Sequence, residues 1–255
     1  MISSRVNLVR LATLARLARP VFLPFIIVLA GCGGRDAAPP PPATQTPPAE
    51  AGRSGAAATG VAGVRAFVIA SAESKASYHA SEEFFPAALA KLGIDAGRAE
   101  AVGTTQAITG RFELDPERPT APPGENTFTV RVNTLTSNQQ KRDDYLRQIR
   151  DDGPSFDKYP LAIFKATGID GSSVASASGR ELNLKLTGDL TIRDITKPEV
   201  FDVKARLIGD TLAGVATTRF LLSDFGIGPI DFPPLLAVAD PVALEVQFTA
   251  RAQAK

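Results

Sequence analysis

The chain has 255 residues, 44% of them hydrophobic, with 28 basic and 27 acidic residues, one cysteine, one histidine and no tryptophan. A lone cysteine excludes an intramolecular disulfide, and a metal site would have to be built from carboxylates, for which no calcium-loop spacing is present. Four of the 28 basic residues, Arg5, Arg10, Arg16 and Arg19, fall in 1–31 with no acid beside them; the remaining 24 stand against 27 acids, net −3, and with no basic run this argues against nucleic acid as a partner.

The N-terminus reads as an address. A basic stretch at 5–19 is followed by an apolar run at 21–30, broken by Pro24. That run is far shorter than the roughly 20 residues a membrane-spanning helix needs, and a positive region, a short apolar region and small residues make an export signal. It ends in Leu29-Ala30-Gly31-Cys32, which resembles the lipobox of bacterial lipoproteins, where the cysteine is acylated and the chain is cut just before it. Residues 1–31 are therefore expected to be a lipoprotein signal peptide and Cys32 the point of lipid attachment. The expected location is extracytoplasmic and membrane-anchored, with Gly33 favouring the outer membrane where one exists. Residues 32–62, with Pro39-Pro40-Pro41-Pro42 and Pro47-Pro48 among Ala, Gly and Thr, cannot bury enough surface to fold. They are expected to be a disordered tether spanning roughly 30 Å as coil.

From residue 63 to 255 the chain reads as one mainly all-β domain. Phe128, Val130 and Val132 alternate with polar residues, as do Leu182, Leu184, Leu186 and Leu190, and then Val242, Leu244, Val246 and Phe248. Such alternation marks strands with one apolar and one wet face. Further strands are expected at 64–71, 73–80, 103–114, 160–168, 199–208 and 211–221. Turn chemistry stands at Pro122-Pro123-Gly124, Ile195-Thr196-Lys197-Pro198 and Gly209-Asp210. Two segments read as helices: 81–91, with Ser81 as N-cap, and 138–150, where Asp143 and Arg147 lie one turn apart. Strands joined by short turns point to a sandwich or a barrel.

Motifs for catalysis are thin. Asp224-Phe225-Gly226 lacks the companions of a kinase site; it reads as a strand end with Phe225 in the core. His79 has no cysteine nucleophile and no Gly-x-Ser-x-Gly elbow to work with. The acid pairs Asp143-Asp144 and Asp151-Asp152 read as solvated charge. No enzyme is expected.

Several stretches in series resemble the YceI-like family of bacterial periplasmic proteins. They are Gly103 to Phe112 (GTTQAITGRF), Lys141-Arg142-Asp143-Asp144-Tyr145-Leu146-Arg147, Tyr159-Pro160-Leu161-Ala162-Ile163-Phe164, Gly188 to Pro198 (GDLTIRDITKP) and Asp224-Phe225-Gly226-Ile227. The resemblance implies an extended, lipocalin-like antiparallel barrel of about eight strands with one or two short helices at its mouth. It also implies a polyisoprenoid or isoprenoid quinone held in the interior, with a homodimer left open. Two departures stand out: Asp194 replaces a usual turn glycine, and Leu222 replaces an arginine that many relatives carry before Ser-Asp-Phe-Gly.

The apolar lining expected for such a ligand is Phe128, Val130, Val132, Phe164, Leu184 and Leu186, with Phe225, Leu244, Val246 and Phe248. The inward faces assigned in this way offer no polar group. The expected function is non-catalytic carriage or sequestration of a long apolar lipid. The alternative is an envelope-stress or protein-interaction scaffold whose barrel is filled by its own side chains.

Overall fold

The computed structural model describes residues 63–253 apart from 120–123 and 125. The expected signal peptide, Cys32 and the tether lie outside these residues, as do Pro122 and Pro123. In chain order the elements are β1 (Arg65–Ile69), β2 (Lys75–Phe84), α1 (Ala87–Leu92), β3 (Gly97–Thr105), β4 (Ile108–Leu114), β5 (Asn126–Arg131) and α2 (Gln140–Arg147). They continue with β6 (Leu161–Ser176), β7 (Gly179–Ile192), β8 (Ile195–Ile208), β9 (Thr211–Leu221), β10 (Asp231–Phe232) and β11 (Leu236–Ala252).

Neighbouring strands pair antiparallel in the order β1-β4-β5-β6-β7-β8-β9-β11, and β1 pairs back onto β11 through Phe67↔Ala252 and Ile69↔Ala250. Eight strands thus close into a barrel, with no edge left open between first and last. The fold is the lipocalin-like barrel that the family resemblance implies, one of the two architectures the alternating segments leave open. After a 3-10 turn at Ser71–Glu73, β2 carries the line of β1 onward along β11, and β3 pairs on the outer side of β2.

Several local expectations are corrected. Residues 81–84 are strand, not helix, because β2 keeps pairing with both neighbours as far as Phe84, opposite Leu236 and Gly97. The helix begins only at Ala87, and Ser81 caps nothing. The single strand expected at 103–114 is two, parted at Gln106-Ala107. Ile195 to Pro198 lie within β8; the turn before it is Arg193-Asp194, fixed by the pair Ile192↔Ile195. The residue there with left-handed backbone is Arg193 (φ 57°), not Asp194. Its guanidinium donates to the carbonyls of Gly226 and Asp151 (the latter at 3.2 Å) and lies over the ring of Tyr159, contacts that offset an unfavourable backbone. Gly209, at φ 58°, turns β8 into β9 as the Gly209-Asp210 signal predicts.

Inside the barrel, phenylalanines from β1, β4, β5, β6 and β8 form a row. Phe67 stacks on Phe112 at 5.4 Å, Phe112 meets Phe128 at 5.4 Å, Phe128 meets Phe164 at 6.4 Å, and Phe164 lies edge-on to Phe201 at 4.7 Å. Glycines make room for these rings. A Cβ at Gly110 would fall 2.8 Å from the Phe128 ring, and one at Gly188 would fall 2.7 Å from Phe164 Cζ and 2.3 Å from the Lys165 carbonyl. A ring laid over a strand glycine restores the contact that the missing side chain would have made.

A lipid-sized cavity with a polar mouth

The row of rings does not fill the barrel. A cavity of about 1080 Å³ runs along its interior, above the usual range for small-molecule sites of roughly 300–1,000 Å³. At the ~30 Å³ that a water molecule occupies in the liquid, this is room for on the order of 35 methylene-sized groups. The filled barrel of the alternative reading is therefore not what the chain forms.

Nine of the ten lining residues expected from the sequence are on the cavity wall: Phe128, Val130, Val132, Phe164, Leu184, Leu186, Leu244, Val246 and Phe248. Val132 reaches it from a 3-10 turn just past β5. Phe225 is the exception. It is fully buried behind the wall, edge-on to Phe220 at 4.9 Å, and Phe220 is the ring that meets the cavity. The sequence-based expectation that Phe225 sits in the core holds; its place on the lining does not. Leu222 is also on the wall.

The cavity has two unlike ends. At one, the lining residues Leu114, Asn126, Ile169, Ala205 and Leu212 are buried. At the other, the lining includes Gln139, Gln140, Lys141 and Asp144, all exposed, on α2 and the residue before it. The mouth is therefore at α2.

Polar groups gather at this mouth, where the sequence offered none. Glu82, inward on β2, and Arg142, on α2, form a two-pronged ion pair: Nε donates to Oε1 at 2.8 Å and Nη2 to Oε2 at 2.7 Å. Their side chains are only 7% and 15% exposed. The remaining nitrogen, Nη1, donates to Ser137 Oγ and Asn138 Oδ1, each at 3.0 Å. The hydrogen bond to Glu82 raises the guanidinium above its ordinary value against the opposing effect of burial, so Arg142 is charged at any physiological pH.

Beside the pair lies Tyr78, paired in register with Leu244 on one side and Gly103 on the other. Its hydroxyl is buried and has no hydrogen-bond partner among the described residues, and burial pushes the phenol up to about 12. At the far end the Asn126 side-chain carbonyl oxygen accepts from the Glu113 backbone N–H at 2.6 Å, while its amide nitrogen has no partner among the described residues.

Two further expectations change. Asp143 is not solvated. It is buried, and its carboxylate accepts from the Ser137 backbone N–H at 2.9 and 3.0 Å and from Ser137 Oγ at 2.7 Å, pinning the start of α2. Arg147 does not pair with it, but donates to the carbonyls of Asn133 and Leu135 at 2.9 and 2.8 Å. Asp151 and Asp152 are exposed. His79 faces outward, with Nδ1 2.9 Å from Glu100 Oε1. Among the described residues no three His, Cys, Asp or Glu side chains converge as a metal site would need.

The model of the YceI-like domain matches residues 68–250, from within β1 to within β11. The chain belongs to the YceI-like family. A UPF0312 protein of Shewanella denitrificans is 32% identical over 139 residues, covering 51% of this chain and 66% of that one. Protein YceI of Escherichia coli O157:H7 is 33% identical over 131 residues, covering 49% of this chain and 62% of that one. The chain thus spans just under two thirds of the length of these YceI-like relatives. Among solved structures, the barrel is similar to a polyisoprenoid-binding domain from Saccharophagus degradans (TM-score 0.53, 10% identity, 74% of this chain and 99% of that one). It is also similar to Burkholderia cenocepacia BcnA (TM-score 0.51, 19% identity, 71% and 98%). At these identities the likeness is one of fold.

Proposed function

We propose that this YceI-like protein carries or sequesters a long apolar lipid, an isoprenoid or isoprenoid quinone, inside the barrel without transforming it. The observation that carries this reading is the cavity of about 1080 Å³, walled by Leu, Val, Ile and Phe. Burial of an apolar chain there is worth roughly 25 cal/mol per Å² removed from water, less the cost of ordering the chain. The polyisoprenoid-binding description of the Saccharophagus domain supports the same class of ligand. In this reading acylated Cys32 anchors the protein to a membrane on its extracytoplasmic side, periplasmic or cell-surface, and residues 33–62 let the barrel stand off from it.

The test is direct. The protein is purified without detergent stripping, extracted into organic solvent, and the extract analysed by mass spectrometry. A near-stoichiometric long-chain lipid is the expected result. An empty extract, together with failure of the protein to take up isoprenoids added afterwards, overturns the proposal.

A further inference from the structure

The carrier reading leaves open what end group the cavity selects. On β2, the inward side chains on either side of Tyr78 are Ala76 and Ala80, both small and both on the wall. The ring stands between them with open space along the barrel. On the neighbouring strand, a Cβ at Gly103 would fall 2.2 Å from Tyr78 Cε1, 2.7 Å from Cζ and 2.9 Å from the hydroxyl oxygen. Only glycine there lets the ring lie down against β3. The hydroxyl ends up buried, on the cavity wall and without a partner among the described residues.

A buried hydroxyl without a partner is unfavourable and uncommon in folded proteins, and such groups mark places where another molecule completes the bonding. The charged groups nearby are already used. Both Glu82 oxygens are taken by Arg142, and Arg142 Nη1 is engaged by Ser137 and Asn138. Among the described lining residues the other cation is Lys141, exposed at the rim. A phosphate entering here would meet a closed, neutral ion pair in place of a free cation. An uncharged acceptor would meet a waiting donor.

We propose that Tyr78 is the head-group donor of the cavity, giving its hydroxyl hydrogen to a carbonyl or ether oxygen of an uncharged amphiphile whose apolar chain lies along the barrel. The proposal rests on the carrier reading and adds a selectivity to it: an oxygen-bearing neutral end group over a bare hydrocarbon or a phosphate. Gly103 is its positioning residue, acting through the ring.

The test compares full-length wild-type protein with Tyr78→Phe and Gly103→Ala, each stripped of lipid and shown by melting to be folded. Three isoprenoids of matched chain length displace a fluorescent apolar probe: a hydrocarbon, its methyl ketone and its monophosphate. Wild type is expected to bind the ketone about two- to tenfold tighter than the hydrocarbon, the span of one net hydrogen bond, and the phosphate no better than the hydrocarbon. Tyr78→Phe removes only an oxygen, so it should keep hydrocarbon affinity and lose the preference for ketone. Gly103→Ala should lose that preference too. An unchanged ketone-to-hydrocarbon ratio in Tyr78→Phe overturns the proposal and leaves the carrier reading standing, as does tightest binding of the phosphate. Failure of wild type to bind any of the three overturns both.

Discussion

Glu82 and Arg142 lie 60 positions apart in sequence and meet at the cavity mouth through two hydrogen bonds of 2.8 and 2.7 Å. The pair ties α2 to β2. Removing one partner leaves the other charge buried and alone, which typically costs about 3–5 kcal/mol. Glu82→Ala and Arg142→Ala are each expected to lower unfolding free energy by that order, measured by chemical denaturation. The double variant Glu82→Leu/Arg142→Met should lose much less, because no orphaned charge remains. A double variant as unstable as the sum of the two singles would show that the side chains act separately.

Val130 and Val246 face the cavity from opposite strand systems, β5 and β11. Val130→Phe and Val246→Phe should be accommodated, since there is space to receive the ring. Melting temperature should change little while uptake of a fluorescent lipid falls. In a filled core the same changes would overpack and cost roughly 1–3 kcal/mol. Val130→Asp puts a carboxylate against apolar walls, and the barrel should lose stability at neutral pH and recover part of it in acid, where the group is protonated.

The chain has three tyrosines. Burial pushes Tyr78 from its ordinary 10.0 up to about 12, and burial raises Tyr145 as well. A folded-state value above the unfolded one means that stability is intact below about pH 10 and is lost as pH climbs toward 12. Ultraviolet titration of the phenols should show its latest step, that of Tyr78, near the alkaline unfolding transition. Tyr78→Phe should remove that step and flatten the loss of stability. A late step that survives in Tyr78→Phe would assign it elsewhere.

For the anchor, Cys32→Ser should abolish fatty-acid labelling and leave a soluble or uncleaved precursor. Persistent labelling and unchanged membrane fractionation would refute the lipoprotein reading. Limited proteolysis of the wild type should leave a stable core starting near Val61 to Arg65, and a protected fragment beginning near Cys32 would refute the tether.

The apolar side of this site was legible in the sequence because a strand repeats every two residues. Once Val130 and Leu244 are inward, Phe128, Val246 and Phe248 must be too. The polar side was not legible, for the same reason. Glu82 breaks the apolar alternation of β2, so 81–91 reads as a helix with Ser81 as its N-cap. What licenses a buried Glu there is Arg142 on another element, and no local pattern reports a partner so distant. Tyr78 was hidden differently. Its inward ring depends on the absence of a side chain at Gly103, a pairing visible only once β2 and β3 are in register. Phe225 failed as a lining residue because it sits in a 3-10 turn after β9, where the two-residue rhythm no longer applies.

The cavity's buried far end and its mouth beneath α2 make the barrel a sheath, not a bowl. A flexible guest would go in lengthwise, one end leading, and back out along the same path. Each added segment of chain would then lengthen the withdrawal, so residence time should grow with guest length even where the end group is the same. Exchange would also depend on how often the α2 latch lets go. Loosening Glu82 and Arg142 would speed loading and unloading together, leaving the ratio that defines affinity far less changed than either rate.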